Sequence, residues 1–75
     1  MDYRLGACLL LERLEENKMN QADFARVMGV SRQFVNKLIT GERKMSLEFA
    51  FNAAYRLNCR ITDLYVLEVV RKQVE

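Results

Sequence analysis

Histidine, proline and tryptophan are absent from this 75-residue chain, and glycine (three) and cysteine (two) are scarce. Each shortage excludes something. Without histidine the chain lacks the commonest metal ligand and the usual acid–base group near neutral pH. Cys8 and Cys59 stand far apart with no CxxC spacing, so neither a zinc site nor a disulfide framework is expected. Both read as small buried apolar residues in a reducing compartment. There is no glycine-rich phosphate loop and no nucleophile beside a base. No catalytic residue, cofactor or metal is therefore expected, and the chain is not read as an enzyme. No apolar run approaches the ~20 residues of a membrane span. The leucines at 9–11 are followed at once by Glu12, Arg13, Glu15 and Glu16, unlike a secretory signal. These absences point to the cytoplasm.

What is present points to helices. About half of the residues are apolar (51%), which suits a single domain over 1–75 and a compact all-α bundle. A chain this short buries only about 60% of its unfolded surface, so a partner subunit is physically reasonable. Asn20, Ser31, Ser46 and Thr62 are all good N-cap types. Each has an apolar residue before it and another four positions after it: Met19 with Phe24, Val30 with Val35, Met45 with Ala50, Ile61 with Val66. That is the spacing of the hydrophobic staple. With an N-terminal helix carrying Leu10 and Leu14 on one face, the caps predict five helices, at about 3–17, 20–28, 31–39, 46–57 and 62–73. In the fourth, Leu47, Ala50, Phe51, Ala54 and Leu57 recur at helical spacing as a buried stripe. Gly41 stands where an αL cap would end the third.

Residues 21–40, QADFARVMGVSRQFVNKLIT, have the spacing of a helix-turn-helix, and that spacing points to DNA. Ala25 stands at the position where the second helix crosses the first, and a larger side chain there would push the two apart. Gly29 falls at the turn, which calls for φ > 0. Val35 points back into the crossing, with Phe24, Met28, Val30 and Leu38 around it.

The candidate reading helix is 31–39. Arg32 and Gln33 lie near its start and Asn36 and Lys37 one turn on, while Val35 and Leu38 face the other way. Arginine or lysine suits guanine O6 and N7; glutamine or asparagine suits the N6/N7 edge of adenine. Phe34 meets a thymine methyl or packs on the protein. Gln21, in the first turn of the preceding helix, is placed for a phosphate. Thr40, Arg43 and Lys44 follow the reader, where they can hold the DNA backbone. Between residues 18 and 44 six basic residues face two acidic ones, against six and eight elsewhere. The modest net charge of +2 is thus concentrated on this segment.

The last segment is unusually apolar. As a helix it would carry one stripe of Leu64, Leu67, Val70 and Val74 and a second of Tyr65, Val66 and Val69. That exceeds what one face against a small bundle should bury: either the segment completes the core more deeply, or the surplus packs against a second copy. The second reading is preferred, with Tyr65, Val66, Val69, Val70 and Val74 as the expected homodimer contact.

With these residues in place, the chain resembles the Cro and phage-repressor (xenobiotic-response-element) family of helix-turn-helix proteins. The matching stretches are MNQADFARVMGVSRQFVNKLITGERKMS and AAYRLNCRITDLY, over about positions 19–65. The resemblance implies a lambda-repressor-like five-helix bundle, usually a homodimer, on a double-stranded DNA operator with its third helix in the major groove. It implies base contacts at Ser31, Arg32, Gln33 and Lys37, backbone contacts at Gln21 and Thr40, and further phosphate contacts at Arg43 and Lys44. The family often has proline where Met45 stands and glycine where Asn58 stands. Asn58 can still adopt αL backbone, and Met45 can still staple.

The function expected is that of a sequence-specific transcriptional regulator, a Cro-type repressor of phage, mobile-element or bacterial genes in the bacterial cytoplasm or nucleoid. The alternative is an antitoxin, since GERKMSLEFAFNAAYRL also resembles that segment of small helix-turn-helix antitoxins. Such a protein would bind its toxin and repress its own operon. An anti-repressor is the other protein partner considered. A third class, an interaction module that kept the fold and lost DNA, is opposed by the presence of Gln21, Arg32, Gln33 and Lys37.

Overall fold

The computed structural model describes residues 2–71. Four helices make the body: α1 (Leu10–Glu16), α2 (Gln21–Met28), α3 (Arg32–Thr40) and α4 (Leu47–Arg56), followed by one 3-10 turn at Ile61–Asp63. On either side of them in the chain lie β1 (Asp2–Cys8) and β2 (Tyr65–Val70), which pair antiparallel as a two-stranded ribbon. The five-helix, all-α expectation is corrected at both ends. Helix 3–17 begins only at Leu10, and the described part of 62–73 is a short turn and a strand rather than a helix, residues 72 and 73 lying outside the described residues.

The physical reasons can be read in the residues. Gly6 would sit inside the expected first helix, at a cost of about 1 kcal/mol relative to alanine. In the ribbon it has a use, because a Cβ there would lie 3.1 Å from both Glu68 Cγ and the Val66 carbonyl. In β2, Val66, Val69 and Val70 with Tyr65 make a strand-forming composition. The surplus of apolar surface that argued for a two-sided helix belongs instead to a strand. Tyr3 pairs with Val69, Arg4 with Glu68, Leu5 with Leu67, and Cys8 with Tyr65 after a register shift. That shift is a bulge of one residue, which brings Leu5 and Cys8 to the same face although they are three apart.

The three middle helices form where their caps predict. The Asn20 side chain accepts from the Asp23 N–H in a reciprocal capping box, and Ser31 and Ser46 cap α3 and α4 through the Phe34 and Phe49 N–H groups. Thr62 is no cap; it lies within the 3-10 turn. Gly29 (φ +71°) and Gly41 (φ +85°) end α2 and α3 in αL, and Asn58 does the same after α4 at φ +52°. Lys18 also takes positive φ, where α1 ends in a Met19 N–H to Leu14 carbonyl bond of 3.0 Å.

Phe24, Leu10, Leu14, Leu38, Leu64 and Val35 are the largest fully buried side chains, and Ala25, Ala50, Ala53, Ala54 and Leu57 fill between them. The stripe expected on α4 is half right. Ala50, Ala54 and Leu57 are buried, but Leu47 and Phe51 are 69% and 58% exposed. Ala50, Ala53 and Ala54 make the buried face of α4, and Leu47, Phe51 and Tyr55 are exposed.

Tyr65 is corrected as well: it is 8% exposed within its own chain rather than offered to a second copy. Its hydroxyl accepts from the Met45 N–H at 3.0 Å. Burial pushes its pKa above the ordinary tyrosine value. This bond gives the departure from proline at position 45 a use, since proline has no N–H to donate. Val66 and Val69 are exposed and Val70 half-buried, on strand rather than helix; Val74 lies outside the described residues. Replacing Tyr65 by phenylalanine leaves the Met45 N–H without its partner and is expected to lower stability by about 1–2 kcal/mol. A urea unfolding curve measures it, and an unchanged midpoint would show that the bond contributes nothing.

Candidate nucleic-acid interface

α3 is presented by what stands behind it. Val35 and Leu38 are buried in the crossing with α2, where Ala25 is buried and Gly29 makes the turn. Phe49 of α4 sits edge-on to Phe24 (6.2 Å between centroids, 80° between planes) and to Phe34 (5.7 Å, 74°). The Phe34 side chain therefore packs on the protein, the second of its two readings. Edge-to-face pairs of this kind add about 0.5–1.5 kcal/mol each beyond area burial.

With that side covered, Arg32, Gln33 and Asn36 are exposed and Lys37 is half-exposed. Arg32 and Gln21 come together across a shallow concavity of about 260 Å³, which Leu11, Asn20 and Ala22 complete. The sequence separates Gln21 from Arg32 by half the motif; the turn at Gly29 brings them side by side. Leu11 at this place was not foreseen. It is exposed on α1 beside the buried Leu10 and Leu14, and its nearness to Gln21 and Arg32 depends on how α1 packs on the motif.

Ser31 stands at the helix entrance with its Oγ accepting from the Phe34 N–H at 3.0 Å. Its geometry is that of a cap. The Thr40 hydroxyl donates to the Lys37 carbonyl at 3.2 Å, at the other end of the helix. In the loop that follows, Arg43 and Lys44 are exposed, and the Arg43 N–H donates to the Lys37 carbonyl at 3.1 Å. The Arg43 guanidinium lies 6.0 Å from the centre of the Phe34 ring. A cation–π contact of this length on an exposed side chain holds it only loosely, at about 0.5–1 kcal/mol.

The first turn of α3 contains no acidic residue. Among the described residues, the three ion pairs are Arg4 with Glu68, Arg13 with Glu16 and Arg26 with Asp23. None uses Arg32, Lys37, Arg43 or Lys44, so their charge is not neutralised by those pairs. The arrangement gives a helix start with free-standing donors, a glutamine beside it and basic residues after it. The cysteines take no part; burial pushes both thiols above the ordinary value, away from reactive thiolate. Among the described residues no group of His, Cys, Asp or Glu could hold a metal ion, and no helix is long and apolar enough to cross a membrane.

The family model described as Helix-turn-helix, of the Cro/C1 type, matches residues 10–64. The chain belongs to this family. It is a DNA-binding transcription regulator of the Cro/C1 type. No curated protein matches the chain. The match begins at the first residue of α1 and ends one residue before β2, so it covers the helical body and stops at the ribbon on both sides. Exchanging Ser31 for alanine is expected to cost about 1 kcal/mol through the lost cap, with aspartate restoring most of it. Thermal unfolding of the two variants checks this; equal losses in both would mean that the hydroxyl does something other than cap.

Proposed function

We propose that the protein is a sequence-specific repressor of the Cro type, acting as a homodimer on an operator with α3 in the major groove. One observation carries the reading: the polar side chains of α3 are exposed together on the side opposite buried Val35 and Leu38. A helix about 10–12 Å across fits that groove, where base edges present distinguishable donors, acceptors and methyls. In this reading Arg32, Gln33, Asn36 and Lys37 face base edges, and Ser31 joins them if its hydroxyl reaches outward while capping. Gln21, Thr40, Arg43 and Lys44 hold phosphates, which fixes register and affinity without reading sequence. The setting proposed is the bacterial cytoplasm or nucleoid, with phage, mobile-element or bacterial genes as targets.

Selection of bound sites from random DNA tests the reading directly. Two related half-sites about one helical turn apart, ~10 bp centre to centre, are expected. Failure to enrich any sequence would overturn it. Arg32→Ala or Gln33→Ala is expected to cost about 1–3 kcal/mol on the selected site and to relax preference at one base pair. Full selectivity in both variants would mean that another element reads the DNA. Lys44→Ala should instead weaken binding to all sequences alike and reduce the slope of log affinity against log salt by about one. A titration at several salt concentrations separates the two behaviours.

A further inference from the structure

The ribbon has two unlike faces. One carries Arg4 and Glu68, joined by a 3.0 Å ion pair. On the other, the cross-strand pairs Tyr3 with Val69 and Leu5 with Leu67 place four apolar side chains together, all of them exposed. A two-stranded ribbon is marginal in water by itself, and an apolar face left open on it makes matters worse. The face does not end at the ribbon. Leu5 and Leu67 line an apolar groove of about 320 Å³ whose other wall includes Met45, Leu47 and Ala50. From Leu47 the apolar surface runs one turn further along α4 to Phe51, whose side chain projects into solvent.

We infer that a second copy of this chain covers this face. Tyr3, Leu5, Leu67 and Val69 of the ribbon meet their equivalents and Leu47 and Phe51 of the partner helix. Three observations favour a second copy over any other occupant. First, a two-fold interface needs projection and hollow on one patch, each serving the other copy; here the projecting Phe51 stands beside the groove. Second, the six side chains offer roughly 500 Å² of apolar surface, the apolar share of a standard interface of about 800 Å² per partner. Third, the patch carries no charged residue that would call for an oppositely charged partner. None of the six lies on α3, so covering them leaves the reading helix open. The ribbon part of this surface lies outside the residues that match the family, and Leu47 and Phe51 lie within them.

The inference shares only the homodimer with the proposed function, and it is measured without DNA. Sedimentation equilibrium of the whole chain at ~100 µM should give the mass of two chains, since interfaces of this size reach micromolar affinity or better. Phe51→Glu and Leu47→Lys, both on the exposed side of α4, should raise the dimer dissociation constant about 100-fold or more while circular dichroism stays that of the parent. Val66→Lys, on the other face of the ribbon, should leave the dimer intact. A parent protein that stays monomeric overturns both the homodimer and the face, and leaves the surface to a different protein such as a toxin. A dimer that survives both α4 substitutions overturns the face alone. If one α4 variant loses its helical signal, the other decides; if both do, loss of selected hydrogen-exchange protection at Leu67 and Val69 on dilution of the parent supports the inference, and unchanged protection there overturns it.

Discussion

The close crossing of α2 and α3 is the constraint on which the rest of the molecule depends. Ala25 of α2 and Val35 of α3 are both buried where the two helices pack together. Gly29 turns the chain between them at φ +71°, a conformation that would strain any residue with a side chain. Because both sides of the crossing are fixed, α3 has no rotational freedom to exchange its faces. Val35 and Leu38 must go inward, and Arg32, Gln33 and Asn36 must go outward. The polar face is in that sense the remainder left by the packing of the apolar one.

Energy is spent on direction more than on strength at this surface. The cap at Ser31, the edge-on rings of Phe34 and Phe49, and the loose Arg43 contact are each worth on the order of 1 kcal/mol. None alone would hold a helix of nine residues, which is marginal in water. Together with the burial of Val35 and Leu38 they hold it in one orientation. Arg32, Lys37 and Lys44 take no part in the ion pairs of Arg4, Arg13 and Arg26. Their charge is left available for a polyanion.

The middle of the chain was legible in the sequence, and its ends were not. Asn20, Ser31 and Ser46 announce helices through local chemistry, a side-chain oxygen within reach of the third N–H beyond it; Thr62 carries the same signal and is overruled, lying inside a 3-10 turn. Glycines at 29 and 41 end helices for an equally local reason. The segment after Thr62 is different. Its apolar residues satisfy a helical period and a strand period at once, and the choice between them depends on β1, some sixty residues away, to which β2 hydrogen-bonds. Tyr65 and Phe51 exchanged places for the same kind of reason. Burial of a tyrosine needs a donor for its oxygen, here the Met45 N–H, and that pairing is invisible until the chain is folded. Gly6 was the one local signal against a helix at the N-terminus, and alone it costs too little to decide.

The ribbon and the loop that follows α3 are joined by that same hydrogen bond. Tyr65 opens β2, while Met45 closes the stretch that begins at Gly41 and carries Arg43 and Lys44. A neutral hydrogen bond of this kind contributes about 1 kcal/mol net, which corresponds to roughly a fivefold change in an equilibrium. Covering the ribbon can therefore bias the placement of the loop through this bond by about that factor. α3 is held by the α2 crossing and the Phe49 ring, and it also meets β1 directly. Its outward face is therefore not insulated from events on the ribbon. Coupling through the loop would appear in affinity for all sequences alike, and coupling through α3 would appear in the choice among them.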